Sequence, residues 1–239
     1  MPRFFTDKIN NGTAFIDGSD AKHISQSLRM KVGENLTVCD LAGYDYSCVI
    51  ASVSPDEIVL RIIEKTACLS EPYVKISLFQ AMPKADKLES IVQKATELGV
   101  YEITPVLTSF CVSRPDEKSM NKKLVRLQKI ALEAAKQSGR GIIPQIKPML
   151  SFKQALADMK KSSLPLFFYE HAQTPLRERL AVKTENVSIL IGSEGGFSDE
   201  EAAMAEKAGL FPCSLGARIL RCETAPVSAL ACILYAFGE

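Results

Sequence analysis

Imidazole is scarce in this chain: His23 and His171 are the only histidines among 239 residues. Seven cysteines are present (Cys39, Cys48, Cys68, Cys111, Cys213, Cys222 and Cys232), but the number is odd and no C-x-x-C pair occurs. A disulfide framework and a zinc site both lack their signatures, which leaves small buried thiols in a reducing compartment. Tryptophan is absent and aromatic residues make up only 7% of the chain. The most apolar C-terminal stretch, Val227 to Phe237, falls well short of the ~20 residues that span a bilayer, and MPRFFTDK lacks the apolar core of a signal peptide. These absences predict a cytoplasmic protein without membrane segment or metal. The 46% hydrophobic and 24% charged residues are ordinary for a soluble globular chain of one large domain or two modest ones.

A net charge of +1 hides an asymmetry. Between Ser113 and Lys147 nine basic residues (Arg114, Lys118, Lys122, Lys123, Arg126, Lys129, Lys136, Arg140 and Lys147) face three acidic ones. Such a segment suits a polyanionic partner. The aromatic interleaving of single-strand stacking platforms is missing from it.

Residues 1–70 read as short strands (TAFIDG, NLTVCD, YDYSCVIASV, EIVLRII) separated by NNG, KVGEN, LAG and SPDE, with one short helix from about Asp20 to Leu28. That pattern predicts a small β-barrel, followed by the linker CLSEPY. From Val74 strands and helices alternate. VKISLFQA precedes a helix with Leu88, Ile91, Val92, Ala95 and Leu98 on one stripe, closed by Gly99, and EITPVLT follows. A long helix from about Asn121 to Ser138 ends at Gly139. Strand candidates IPQIKPM, LPLFFYE, VSILIG and FPCSL alternate with helices at Phe152 to Lys161 and Asp199 to Ala208. The last helix, Ala225 to Phe237, is apolar nearly all round, as in a core or a subunit interface. Residues 74–239 therefore predict an α/β domain on a parallel sheet, with ligands outside the carboxyl ends of its strands.

Three stretches could carry chemistry. ILIGSEGGFSDEE (Ile189 to Glu201) has the shape of a nucleotide loop, yet it contains Glu194, and Asp199, Glu200 and Glu201 follow. Ser198 and Glu201 form a capping box that already satisfies the helix start, so a phosphate is disfavoured there. Neither Walker A nor G-x-G-x-x-G spacing is met. A ligand that is neutral or cationic at this point, such as S-adenosylmethionine, fits better. The second stretch, SLGARILRCETAP (Ser214 to Pro226), is an irregular polar segment between apolar elements, with Thr224 placed to cap the last helix. The third is the basic helix, ending in QSGR, whose Lys and Arg suit phosphate contacts.

Over essentially its whole length the chain resembles the ribosomal RNA small subunit methyltransferase E family of SPOUT methyltransferases, which methylate N3 of a uridine in 16S rRNA. The resemblance is carried by HISQSLRMKVG (His23 to Gly33), QKATELGVYEITP (Gln93 to Pro105), RLQKIALEAAKQSGR (Arg126 to Arg140), LIGSEGGFSDEE (Leu190 to Glu201) and LGARILRCETA (Leu215 to Ala225). Ser193 stands where the family usually has proline, Leu127 where it often has tryptophan, and SFCVSR (Ser109 to Arg114) is looser than the family's segment.

The resemblance implies an RNA-binding PUA-like barrel over residues 1–70 and a SPOUT domain over residues 74–239 with a C-terminal trefoil knot, a topology that general folding rules would not select. It also implies a homodimer. The implied cofactor, S-adenosylmethionine, falls to Leu190, Gly192, Glu194, Gly195, Gly196, Leu215, Gly216, Ile219, Leu220, Arg221 and Thr224, with Tyr169 and Glu170 completing the pocket. For catalysis Arg221 is the candidate cation that stabilises charge on the uracil, and Glu223 or Glu194 the candidate base. RNA contacts are expected from Arg3, Arg29, Arg114, Lys122, Lys123, Arg126, Lys136 and Arg140, on 16S rRNA within the small ribosomal subunit. The alternatives are a SPOUT methyltransferase for another rRNA or tRNA position, a non-catalytic RNA-binding assembly factor, and, third, a nucleotide-binding Rossmann enzyme.

Overall fold

The computed structural model describes residues 2–238. They divide into two units, residues 2–71 with 135–143, and residues 72–134 with 144–238.

The first unit is a curled six-stranded sheet built from β1 (Arg3–Phe5), β2 (Ile9–Asn10), β3 (Thr13–Asp17), β4 (Asn35–Cys39), β5 (Tyr44–Val53) and β6 (Glu57–Ala67), in the order β1-β4-β5-β6-β3-β2. Only the β1–β4 pair is parallel. Period-two alternation explains it: Ala14, Ile16, Leu36, Val38, Cys48 and Ile50 turn inward together. Asn11 and Gly12, both at positive φ, make the two-residue turn between β2 and β3. The short helix over Asp20 to Leu28 is instead α1 (Gly18–Lys22) running into a π-helical turn, His23–Ser27.

Three of the expected RNA contacts are committed to the interior of this unit. The Arg140 guanidinium, 2% exposed, forms a two-pronged bond to Glu71 at 2.9 and 2.7 Å. The same carboxylate accepts from Gly141 N at 2.6 Å and Ile142 N at 3.1 Å. Arg3 clasps Asp45 and donates to the Arg140 carbonyl, while Lys136 pairs with Asp20 at 2.8 Å. Arg140 is buried and must be paired to be tolerated, while Arg3 and Lys136, 13% and 18% exposed, are half-buried and engaged by their carboxylates, so all three serve the fold.

The second unit is a parallel sheet flanked by helices. Its elements are β7 (Lys75–Ala81), α2 (Lys87–Glu97), β8 (Glu102–Leu107), α3 (Glu117–Ser138), β9 (Gln145–Ile146), β10 (Leu150–Ser151), α4 (Phe152–Met159), β11 (Leu164–Phe168), α5 (Leu176–Arg179), β12 (Asn186–Ile191), α6 (Asp199–Lys207), β13 (Phe211–Cys213) and α7 (Thr224–Phe237). The strand order is β10-β8-β7-β12-β11-β13, every pair parallel, with β9 beside β8. From β7 the sheet grows first to one side, through β8 and β10, and then to the other, through β11, β12 and β13, and the crevice outside the strands' carboxyl ends is where such sheets place ligands.

Helix α3 starts four residues before the expected Asn121, because Asp116 accepts from Ser119 N at 2.7 Å and opens the helix at Glu117. At α7 the expected cap is not made: Thr224 is the first helical residue, and no side chain caps the start. The helix buries one face, through Pro226, Ala229, Leu230, Ile233, Leu234 and Phe237, and exposes Ala231, Cys232, Tyr235 and Ala236.

Because Arg140 is buried and Glu71 also holds two backbone N–H groups, Glu71→Ala should cost about 3 kcal/mol. Urea unfolding followed by circular dichroism measures it, with an unchanged midpoint as the contrary result.

Candidate functional site

The carboxyl ends of β11, β12 and β13 release three loops that wall a cleft of about 820 Å³. Residues 169–175 follow β11, residues 192–197 follow β12, and residues 214–222 follow β13. Backbone pairing joins the first to the third: Leu176 N donates to Ser214 O at 3.0 Å and Ser214 N to Thr174 O at 2.9 Å. Phe168, Tyr169 and Phe197 line the cleft, and the buried core ring of Phe167 supports two of them, edge-on to Phe197 at 4.8 Å and stacked on Tyr169 at 5.4 Å.

The glycines of the middle loop are there because neighbours come close. Gly196 has φ +67°, and a Cβ on it would stand 2.6 Å from Glu170 Oε1. At Gly195 a Cβ would meet Phe110 Cβ at 2.8 Å. Ser198 and Glu201 form the predicted capping box. Glu201, 3% exposed, also accepts from Ser109 N at 2.8 Å, and Asp199 accepts from the Tyr169 hydroxyl at 3.2 Å. The acidic turn is thus satisfied internally, and it leaves no vacant helix N-terminus for a phosphate.

Of the residues expected to hold a cofactor, Tyr169, Glu170, Gly192, Glu194, Gly195, Gly196, Leu215, Gly216, Ile219, Leu220 and Arg221 line this cleft. Leu190 and Thr224 do not. Leu190 sits in β12 with its side chain fully buried in the core, and Thr224 is exposed at the start of α7. Sequence reasoning missed Lys87, Phe168, Ser193, Phe197, Arg218 and Cys222, all of which line the cleft. Lys87 comes from the start of α2, and no local pattern links it to loops more than a hundred residues away.

The three candidate catalytic residues separate. Arg221 is exposed in the cleft wall, and among the described residues its guanidinium has no hydrogen bond or ion pair. Glu194 lines the cleft but is engaged: its carboxylate accepts from Lys84 N at 3.2 Å and from Lys87 Nζ at 3.0 Å. Glu223 lies outside the lining, 3.2 Å from Lys87 Nζ and 3.2 Å from the Cys222 thiol that donates to it. Burial pushes the Glu194 carboxyl up, but hydrogen bonds from its own backbone N–H, Lys87 and Lys84 N outweigh that and hold it below the usual range. The Cys222 thiol, the Glu223 backbone N–H and Lys87 hold Glu223 low as well, while burial pushes the Cys222 thiol up to about 12. Both carboxylates are therefore ionised at neutral pH and are weak proton acceptors.

Among the described residues two buried side-chain atoms lack protein partners, Ser193 Oγ within the glycine loop and Gln80 Oε1. Gln80 Nε2 donates to Gly192 O at 3.2 Å, so both orphans adjoin the glycine loop. Both atoms are enclosed, so it is the backbone of Gly192, Gly195 and Gly196 that a ligand in the cleft can approach closely.

The remaining basic residues vary in availability. Arg114 folds back onto the carbonyls of Thr108, Ser109 and Cys111, which stiffens the loop after β8. Lys123 donates to Ala85 O at 3.4 Å, and Arg126 pairs with Glu89 at 2.7 Å while remaining 64% exposed. Lys122, Lys129 and Arg29 are exposed, with Lys122, Arg126 and Lys129 on one face of α3 by their spacing. Among the described residues no group of His, Cys, Asp and Glu could hold a metal ion, and no helix is long and apolar enough to cross a membrane.

Comparison with known proteins adds to this geometry. Residues 70–234 match the RNA methyltransferase domain family and residues 16–63 the RNA methyltransferase PUA domain family. The chain is 34% identical to the ribosomal RNA small subunit methyltransferase E of Bacillus subtilis (strain 168), over 98% of this chain and 96% of that one. A methyltransferase of Legionella pneumophila, solved with its bound cofactor SAM, superimposes with a TM-score of 0.87 at 32% identity, covering 98% of this chain and 97% of that one. The ribosomal RNA small subunit methyltransferase E of Neisseria gonorrhoeae, solved bound to S-adenosyl methionine, gives 0.86 at 28% identity, over 98% and 96%.

Gly196→Ala should cost about 1–2 kcal/mol for its left-handed backbone and more for displacing Glu170, whereas Gly209→Ala, at φ +86° with open space around it, should cost the backbone part alone. Thermal unfolding of the two variants side by side decides this, and equal losses would show that the Glu170 contact carries nothing.

Proposed function

Since the chain belongs to the ribosomal RNA small subunit methyltransferase E family, we propose that it methylates N3 of a specific uridine in 16S rRNA with S-adenosylmethionine as donor. It is an RNA methyltransferase with a PUA-like N-terminal unit. The observation that best supports the proposal is the three-loop cleft, where glycine backbone meets an Arg221 guanidinium that has no partner among the described residues. Bound S-adenosylmethionine supplies an electrophilic methyl group on a cationic sulfur. Gly192, Gly195 and Gly196 allow the close backbone approach an adenosyl group needs, and Glu194 gives the wall an ionised carboxylate.

Uracil N3 bears a proton on the pairing edge, so the base must be unpaired or extruded to reach the cleft. Loss of that proton spreads negative charge over O2, N3 and O4. Arg221, with its five N–H donors free, is the residue suited to stabilise it. Glu194 and Glu223 are the candidate bases, but their depressed carboxyls make proton transfer to either inefficient, and Glu223 stands behind Lys87. The larger part of the work therefore falls to Arg221 and to positioning.

RNA contacts fall to the exposed Lys122, Arg126, Lys129 and Arg29. The implied homodimer is supported by α7, which carries no charged residue yet exposes Tyr235 at 84%. The trefoil knot around the cleft and a cytoplasmic location belong to the same proposal.

A radiolabelled methyl-transfer assay on free 16S rRNA and on intact 30S particles, with mass mapping of the product, tests the proposal. The expected product is a uridine methylated at N3, and a label at another position or in tRNA would favour the rival substrate. Arg221→Ala should lower the rate about 10²-fold at saturating S-adenosylmethionine; an undiminished rate would remove its role.

A further inference from the structure

The turn that delivers Lys87 violates two local rules at once. Lys87 is the first residue of α2, where a cation meets the positive end of the helix dipole and is disfavoured. Two residues earlier Ala85 has φ +52°, a left-handed conformation that a residue with a Cβ resists. The N-cap Asp86 makes no side-chain bond to the helix that would offset either. Such conflicts persist only where the surroundings over-determine them, and they concentrate at functional sites.

The surroundings here are the cleft. The Lys87 ammonium reaches Glu194 at 3.0 Å in the loop after β12 and Glu223 at 3.2 Å in the segment before α7. It is also 3.8 Å from Cys222 Sγ, and its side chain is 30% exposed in the cleft wall. The strained turn is fastened from both sides: Lys84 N donates to Glu194, and Lys123 Nζ to the Ala85 carbonyl.

We propose that Lys87 is a positioning residue that ties two walls of the cofactor cleft together, by holding between them two carboxylates that would otherwise repel. Mutual bonding raises the lysine and lowers both acids: Glu194 and then Glu223 raise Lys87, while Lys87 contributes to the depression of each carboxyl. Without the ammonium, two carboxylates drawn together on one atom become like charges at a range of about 4–6 Å, which opposes the ionisation of both. The other polar groups around them are the Cys222 thiol, the Lys84 backbone N–H, Asp86 at the start of α2, and Arg218, Arg221 and Glu170 in the cleft lining. None of these is a cation held between the two acids.

The inference rests on the cleft being the S-adenosylmethionine site, and its test reads binding rather than turnover. Calorimetric titration of S-adenosylmethionine and of S-adenosylhomocysteine into the full chain is done at about pH 5.5 and about pH 8, either side of neutrality and above the ordinary glutamate value. The native chain should bind equally at both pH values, because its carboxyls are already depressed. Lys87→Met should bind both ligands about tenfold more weakly at the higher pH and recover as the pH falls, when one carboxyl takes up a proton and the repulsion ends. Lys87→Met with Glu223→Gln should bind more tightly than Lys87→Met alone at the higher pH, and Lys87→Arg should stay near native. Circular dichroism confirms that each variant is folded. Weak binding by Lys87→Met that neither acid nor Glu223→Gln relieves would overturn the proposal, as would native affinity in that variant. Absence of S-adenosylmethionine binding by the native chain would instead overturn the cofactor assignment itself.

Discussion

Charge compensation around a glycine turn is the constraint on which the rest of the site depends. Four carboxylates, Glu194, Asp199, Glu200 and Glu201, crowd the passage from β12 into α6, and a fold that left them unpartnered would push the loop apart. Each has a neutralising partner or a hydrogen bond that favours its charge. Glu201 caps α6 and accepts from Ser109 N, Asp199 accepts from the Tyr169 hydroxyl, Glu200 is held low by its own backbone N–H and the Ser198 hydroxyl, and Glu194 is bound by Lys84 N and Lys87. These partners come from the loops after β8 and β11 and from the turn into α2, so satisfying the charges also ties those segments to the glycine loop.

The same rule, that buried charge must be paired, governs the first unit. Arg140 and Lys136 read in sequence as part of a basic helix and its end, and Arg3 as an RNA contact of the barrel, yet each is paired with a carboxylate of the unit: Glu71, Asp20 and Asp45. Lys122, Arg126 and Lys129 stay at the surface. Equal charges in one basic stretch thus divide into structural and available groups, because burial makes pairing obligatory while water makes it worth little.

Much of the architecture was legible in the chain. Period-two alternation marked the strands of the first unit, and the change to alternating strand and helix at Val74 marked the parallel sheet. The capping box at Ser198 and the left-handed Gly99 and Gly139 were legible because each is a bargain among near neighbours. The second capping box, Ser151 with Gln154, has the same signature and was overlooked. Leu190 and Thr224 lie outside the cleft lining because adjacency to a loop does not say which way a side chain turns: alternation in β12 sends Leu190 into the core, and Thr224 is exposed at the start of α7.

The sequence by itself determined the longer strands and most of the helices, the capping box that opens α6, and which two glycine loops could approach a ligand, since these are set by contacts within about one turn of chain. Only the tertiary structure decided that Lys87 would stand between Glu194 and Glu223, that Arg221 would remain free, and that Arg140 would be buried. The physical reason is that pairing of charges depends on distance in space and on exclusion of water. Both arise only when strands far apart in the chain take neighbouring places in one sheet.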